Sequence, residues 1–336
     1  MRLKTGGTSL AQQAADAVRE LLAEAAAANT TRSYATALRY WAGWHQARYG
    51  VELALPTSEA VVIQFLIDHI QRKNKAGLVS ELPPAIDQAL VAAGLKAKVG
   101  PLKLSTAHKL KRLANPCKLP SVRTLLSRAR RAAVKRGERP TKKTAITRAE
   151  LEAILATCYD SLEGLRDRAL FCFGFASGGR RGSEIAAADM RDLRKVGEDG
   201  YIYRLEYSKT QQAGVTADST PDKPILGRSA EALAAWLETA QIDEGGIFRR
   251  VWKGRVGPAL LPGSVATIVK RRAKLAGLQG DFGAHSLRSG FVTEAGKQGV
   301  PLPAVMAMTE HRSVASVIGY FQAGAAEDNP AARLLK

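Results

Sequence analysis

The sequence predicts a mainly helical protein in two parts. An all-helical domain over residues 1–140 precedes an α+β domain over 141–336, in which helices carry a small antiparallel sheet. Three observations predict it. Most apolar residues recur at three- and four-residue spacing, the period of a helix with one buried face. One longer stretch, Tyr201–Thr210 (YIYRLEYSKT), instead alternates apolar and polar residues and is rich in β-formers, the period of a strand. The segment Gly137–Ala145 (GERPTKKTA) carries Pro and Lys and reads as a linker, placed where the charge balance of the chain changes.

The elements follow in order. Residues 9–28 are Ala-rich and strongly helix-forming, and Asp16, Glu20 and Glu24 set them apart from an acid-poor transit peptide. Thr30 or Thr31 can cap a second helix, on which Tyr34, Ala37, Leu38, Trp41 and Trp44 make an apolar stripe that reads as a core face. Pro56–Arg72 is a helix opened by Thr57 or Ser58. Residues 73–103 read as an irregular connection holding the helical piece PPAIDQALVAAG. Ser105–Leu113 is a basic helix. Ser121–Arg136 is another, with Val122, Leu125, Leu126, Ala129 and Ala133 on one face and Gly137 as its stop. In the second domain, Thr147–Thr157, Asp160–Phe175, a segment opening near Ser183, Ser229–Thr239 and Ser264–Ala276 read as helices. Lys223–Ile225 is a short strand for Tyr201–Thr210 to pair with, and Ile247–Val251 a short strand or turn. His45 and His69 lie on helical patterns without partners at ligand spacing and read as structural.

Charge narrows the function. The chain carries a formal net charge of +19, and residues 1–143 hold 25 basic against 9 acidic side chains, a net +16. Residues 96–143 hold 16 basic side chains and a single acid, Glu138. A solvated face mixes signs; a run this poor in acids points to a polyanion, and so to nucleic acid. On the Ser121–Arg136 helix, Arg123, Arg128, Arg130, Arg131, Lys135 and Arg136 cover the face opposite the apolar one, as a helix lying in a DNA groove requires. Lys109, Lys111 and Arg112 extend the basic set. The three cysteines, Cys117, Cys158 and Cys172, fit no paired-ligand spacing and suggest reduced thiols. No apolar window is long enough for a membrane span and no apolar leader opens the chain, so a cytoplasmic, nucleoid-associated protein without a membrane partner is expected.

The chemistry concentrates in Gly283–Tyr320. His285 and Arg288, three residues apart on a helix, share one face and can point at one phosphodiester. Arginine is a permanently charged planar fork that grips phosphate oxygens in two places. His311 lies nine residues before Tyr320, and Val314, Val317 and Ile318 between them can seat a short helix that returns the phenol to the cationic cluster. A tyrosine so placed is a candidate nucleophile.

Together with two earlier motifs, these residues resemble the tyrosine recombinase (phage integrase) family. In that family a Gly-Leu-Arg-x-Ser-Glu run supplies a first arginine. This chain reads Gly179-Arg180-Arg181-Gly182-Ser183-Glu184, which puts Arg181 in the arginine position, Glu184 in the acidic one, and Arg180 where leucine is usual. Ser208-Lys209-Thr210 resembles the β-hairpin lysine motif, His285-Ser286-Leu287-Arg288 the His-x-x-Arg motif, and Tyr320 the nucleophile. The family's Leu-Gly-His appears as Thr309-Glu310-His311. The second domain matches throughout. The first, with its Thr-x-x-Tyr…Trp helix and basic helices, resembles the core-binding domain, and the layout is similar to the simple Cre-like recombinases.

The resemblance implies a site-specific recombinase or integrase that clamps double-stranded DNA between its two domains and pairs two sites through a tetramer. Arg181 and Arg288 would hold the non-bridging oxygens, His311 would add a hydrogen bond, and Tyr320 would attack to give a 3′-phosphotyrosyl link. A phenol ionises near about pH 10 unless cations stabilise the phenolate; His285 could accept its proton, Lys209 would protonate the leaving 5′-oxygen, and Glu184 would orient the cluster. With arginines and a lysine supplying charge, no metal or nucleotide cofactor is expected. A type IB topoisomerase-like or telomere-resolving enzyme shares the constellation, and a DNA-binding regulator of the same fold is the non-catalytic alternative. The tail Phe321–Lys336, with Asn329 and Pro330 able to start a short apolar helix, is expected to dock into a neighbouring subunit.

Overall fold

The computed structural model describes residues 28–70, 72–73, 79–80, 82–95, 102–138, 143–198, 200–205, 220–311 and 313–324. The helix expected over 9–28 (except Ala28), Lys209, and the tail beyond Gly324 lie outside them. The chain divides into two compact units, Met1–Pro140 and Thr141–Lys336.

The first unit is built from α1 (Ala28–Tyr49), α2 (Glu59–His69), α3 (Pro84–Ala92), α4 (Leu102–Leu110) and α5 (Pro120–Lys135). One departure from an all-helical unit falls in the stretch expected to be irregular. There Arg72–Lys73 (β1) and Val79–Ser80 (β2) form a two-residue antiparallel ladder, too short to carry a sequence period. The aromatic stripe of α1 is the core. Trp41 and Trp44 are fully buried, and Trp41 stacks on Phe65 of α2 with ring centroids 3.5 Å apart. Polar atoms carried into this core are satisfied, as burial demands. Trp44 Nε1 donates to Asp68 Oδ2 (2.9 Å), and His69 bridges the Tyr40 hydroxyl (2.8 Å) and the Phe65 carbonyl (2.7 Å). His45 Nδ1 lies 2.9 Å from the Val51 carbonyl. Ser58 caps α2 by accepting from the Val61 N–H.

The second unit is built from α6 (Arg148–Ala156), α7 (Leu162–Ala176), α8 (Gly182–Ala186), β3 (Leu193–Val196), β4 (Gly200–Arg204), β5 (Asp222–Leu226), α9 (Arg228–Ala240), β6 (Arg249–Trp252), β7 (Arg255–Ala259), α10 (Pro262–Leu275), α11 (His285–Lys297), α12 (Leu302–Thr309) and α13 (Val314–Gly324). β3, β4 and β5 pair in that order, all antiparallel, with Tyr201 opposite Ile225. β6 and β7 make a separate hairpin. The sequence does not signal strands β3 (LRKV) and β7 (RVGPA), because their residues are largely exposed and neither run alternates apolar with polar. Helix α7 is buried over most of its circumference, from Ala169 to Gly174, as a central helix must be. It packs on α9, whose Trp236 is fully buried and donates from Nε1 to the Ile247 carbonyl (2.8 Å). Thr147 and Glu150 form the capping box of α6, with the Thr147 N–H 2.9 Å from Glu150 Oε2. Among the described residues no helix is long and apolar enough to cross a membrane.

Asp167 of α7 is completely buried and holds three arginines. Oδ1 accepts from Arg166, and Oδ2 accepts from Arg271 and Arg272, each at 2.7 Å. This carboxylate fastens α10 to the central helix. Replacing it leaves buried guanidinium groups without their main counter-charge, a loss of about 3–5 kcal/mol for a broken buried pair. Asp167→Ala should therefore lower the urea midpoint of the second unit's unfolding by a corresponding amount, and an unchanged midpoint would show that water replaces the carboxylate there.

Candidate active site

The site is assembled from two glycines upward. Helix α7 ends at Ala176, and the chain reverses through Gly178 (φ 96) and Gly179 (φ 70), in the left-handed region that side chains disfavour. There is also no room for side chains. A Cβ on Gly178 would lie 2.2 Å from the Met308 carbonyl oxygen, and one on Gly179 would lie 2.6 Å from Arg288 Cα. The turn carrying Arg180 and Arg181 is thus pressed against both α11 and the end of α12.

Arg181 stands at the start of α8. Its N–H donates to Glu184 Oε2 (3.0 Å) and its guanidinium to Glu184 Oε1 (2.6 Å). Burial alone would raise the Glu184 pKa, but the adjacent Arg180 and Arg181 charges and the backbone hydrogen bond outweigh it and bring it below the ordinary value. Glu184 is therefore an anion that orients Arg181.

Arg288, one turn into α11, is 1% exposed. It donates from Nη1 to the Gly179 carbonyl (3.4 Å) and from Nη2 to the Thr309 carbonyl. Burial, then Arg181 and Arg180, lower its pKa to about 9, so it remains a cation at neutral pH. His311 follows the end of α12, with Nδ1 2.7 Å from Thr309 Oγ1 and 3.5 Å from Arg288 Nη2. Burial lowers its pKa to about 4, helped by Arg288, Arg181, His285 and Arg180, so the ring is neutral at neutral pH. Two neighbours make opposite demands on Nδ1: the Arg288 guanidinium calls for a lone pair, whereas the Thr309 hydroxyl, which donates to the Val305 carbonyl (2.8 Å), calls for a proton.

His285 and Arg288 share α11 but differ in depth. His285 is exposed at its first turn, where Arg288 is buried. His285 is one of the charges acting on His311, and its ring centroid lies 6.3 Å from that of Tyr320. Tyr320 is half-buried on α13, which packs closely on α11 because Gly296 has no side chain. A Cβ there would lie 2.2 Å from the Phe321 carbonyl oxygen. The described structure thus gathers Arg181, Glu184, His285, Arg288, His311 and Tyr320. Lys209 is outside the described residues.

Sequence motifs do not point to a further lysine that is described. Lys223 of β5 is fully buried, 3.1 Å from Glu310 Oε1, and donates to the Ala307 carbonyl (2.8 Å). Its one signal is its register, two residues before the buried Ile225 and therefore on the inward face of the strand.

The basic residues of the first unit lie on a surface. Arg123, Arg128, Arg130, Arg131 and Lys135 are exposed along α5, while Arg136 is half-buried and paired with Glu138 at 2.6 Å. Lys109, Lys111 and Arg112 are exposed at and just after the end of α4. Among the described residues, no three His, Cys, Asp or Glu side chains group so as to hold a metal ion.

Comparison with known proteins points to one family. The phage integrase family model matches residues 144–327. An integrase/recombinase xerD homolog of Selenomonas ruminantium is 32% identical over 314 residues, covering 90% of this chain and 84% of that protein. Tyrosine recombinase XerC of Ralstonia pickettii (strain 12J) is 30% identical over 167 residues, which are 48% of this chain and about half (50%) of that relative. Among solved structures, the Tn1549 transposon integrase in complex with transposon right end DNA aligns with a TM-score of 0.55 at 15% identity, covering 91% of this chain and 95% of that one. A lambda integrase dimer bound to a COC′ core site aligns with a TM-score of 0.52 at 16% identity, covering 94% and 96%. At these identities the structures establish a shared fold.

The depressed His311 pKa has a consequence for stability. Between the ordinary value of 6.5 and about 4, the unfolded chain binds a proton that the folded chain refuses. Stability therefore falls as pH drops through that window. His311→Asn removes the titrating ring, so its melting temperature should decline less than the wild type's between pH 6.5 and pH 4. Parallel curves would mean that the ring does not sit in a cation-rich, desolvated site.

Proposed function

Since the chain belongs to the phage integrase family of tyrosine recombinases, which are DNA strand transferases, we propose that it is a site-specific recombinase working through a covalent 3′-phosphotyrosyl intermediate on Tyr320. The observation that carries the reading is the repulsion built into the site. Burial, and after it the charges of Arg181 and Arg180, lower the Arg288 pKa, and burial with all three arginines lowers that of His311; a bound phosphodiester would supply the missing counter-charge.

In this reading Arg181 and Arg288 hold the non-bridging oxygens, and His311 donates a further hydrogen bond. The Tyr320 oxygen attacks phosphorus and gives its proton to His285. The bond from phosphorus to the 5′-oxygen breaks, and Lys209 supplies the proton that the leaving oxygen takes. Attack by a 5′-hydroxyl of another strand reverses the sequence, so the bond energy is retained in the phosphotyrosyl link and rejoining needs no nucleotide. Fixed cations neutralise the phosphate, so these steps call for no metal.

Exchange between two sites requires several subunits, and we assign a tetramer with the tail Phe321–Lys336 as the inter-subunit contact. Residues 1–140 would be the core-binding domain, with the exposed row on α5 and the end of α4 against DNA phosphates, and 141–336 the catalytic domain, acting on DNA in the cytoplasm.

A suicide duplex that loses its 5′ product traps the intermediate. Wild-type protein should give a covalent adduct on denaturing gels. Tyr320→Phe should bind the same DNA with unchanged affinity and give none, because only the hydroxyl is lost. Adduct formation by Tyr320→Phe at the wild-type rate would remove Tyr320 as the nucleophile. On the first unit, replacing Arg128, Arg130 and Arg131 together by Ala should weaken binding and reduce the slope of log K against log salt by about 0.9 for each phosphate that the variant no longer neutralises. Identical affinity at every salt concentration would return α5 to an ordinary solvated face.

A further inference from the structure

The last turn of α12, immediately before His311, is gripped by three cations from three segments. Carbonyls at a helix C-terminus have no partners within the helix. Here the Ala307 oxygen accepts from Lys223 Nζ (2.8 Å) and from the Thr220 hydroxyl (2.8 Å). The Met308 oxygen accepts from Arg180 Nη2 (2.6 Å), and the Thr309 oxygen accepts from Arg288. Arg288 has been placed against phosphate. Arg180 and Lys223 have not: both are buried to 1% or less and held within the fold.

Their counter-charge is Glu310. It occupies the C-cap of α12 at φ 56, ψ 41, a left-handed conformation in which glycine is the least strained residue. An acidic side chain there, 9% exposed, is unfavourable in itself. It lies 3.1 Å from Lys223 Nζ, and with Glu184 it opposes the loss of charge that burial imposes on Arg180. Arg180 Nη1 in turn lies 3.8 Å from Glu184 Oε2, and Glu184 holds Arg181 at 2.6 Å. From β5 onward the signs alternate: Lys223, Glu310, Arg180, Glu184, Arg181. Buried ions are poor stabilisers compared with apolar groups of the same volume. Stability alone therefore does not account for a buried Arg180 where the family pattern has leucine, nor for Glu310 at a left-handed cap.

We propose that Arg180, Glu310 and Lys223 are positioning residues for strand transfer, a buried alternating charge chain that fixes the turn carrying His311 against the turn carrying Arg181. The chain sets two members of the phosphate cradle at once, Arg181 through Glu184 and His311 through the α12 carbonyls. It touches no DNA itself. The inference rests on the phosphotyrosyl reading above.

The test is a double-mutant cycle on the suicide duplex, scored as adduct rate at saturating DNA and, separately, as DNA affinity. Glu310→Gln strands two buried cations and should slow adduct formation about tenfold or more while affinity stays within about twofold. Arg180→Leu should give the same split between rate and affinity. Lys223→Met added to Glu310→Gln removes a cation together with its carboxylate and should recover most of the lost rate, so that the two changes are strongly non-additive. Rates that multiply independently, or losses that appear in affinity, overturn the proposal. If Glu310→Gln fails to fold, a folded and active double variant supports the chain. A double variant that is folded but slow, or that also fails to fold, reduces the group to a stability element and ends the proposal. Wild-type protein and Tyr320→Phe run alongside: absence of adduct from wild type overturns the phosphotyrosyl reading itself, whereas a normal wild-type adduct with independent mutational effects overturns only the charge chain.

Discussion

Three guanidinium groups confined around one backbone turn are the constraint on which the second unit depends. Arg180, Arg181 and Arg288 would separate in water. They stay together because each is tied to something that cannot move away, namely the Glu184 carboxylate or the carbonyls of Gly179, Met308 and Thr309. The carbonyls belong to chain reversals, and the reversals exist because Gly178 and Gly179 take positive φ where no Cβ would fit. Removing that freedom would shift Arg288 Cα and the end of α12 together. The residual repulsion is what makes the site receptive to an anion. Burial, the larger cause, and this repulsion together lower the Arg288 pKa to about 9 and the His311 pKa to about 4.

The same physics is solved differently in the first unit. Its core is aromatic, with Trp41, Trp44 and Phe65 packed face and edge, and the buried Trp44 indole is paired with Asp68. Cations are kept out of this interior and arrayed on the outer faces of α4 and α5. There solvent screens them, and each can exchange a counterion for a phosphate. One unit carries exposed charge that responds to salt, and the other carries buried charge that responds to geometry.

How far each of these is legible in the sequence follows from this difference. A helix with a one-sided apolar stripe, such as α5, is readable almost to its ends, because burial on one face imposes a period; in α1 Thr30 and Thr31, expected as caps, lie inside the helix. Thr147, Ser161 and Gly137 mark boundaries through capping chemistry. Strands β3 and β7 are not readable, because sparse burial leaves no alternation to find. Arg181, Glu184, His285, Arg288, His311 and Tyr320 can be picked out because their residue types recur at motif spacing. Their depths cannot: nothing in His-x-x-Arg tells that the arginine is buried and the histidine exposed. Lys223 and Glu310 are invisible as a pair, since 87 positions separate the strand from the helix cap and only folding brings them to 3.1 Å.

Two positions that look like departures from a familiar pattern acquire a common explanation once the fold is known. Arg180 stands where leucine is usual and Glu310 where glycine is usual, and considered separately each is a defect: a charge in the core, and a side chain at a left-handed cap. In the structure Glu184 and, after it, the Glu310 carboxylate oppose what burial does to the Arg180 charge, and Glu310 lies 3.1 Å from Lys223. A local rule broken in two places that meet in space is better explained as one interaction than as two exceptions. The meeting point is the turn that delivers His311, whose proton affinity burial and the surrounding arginines lower.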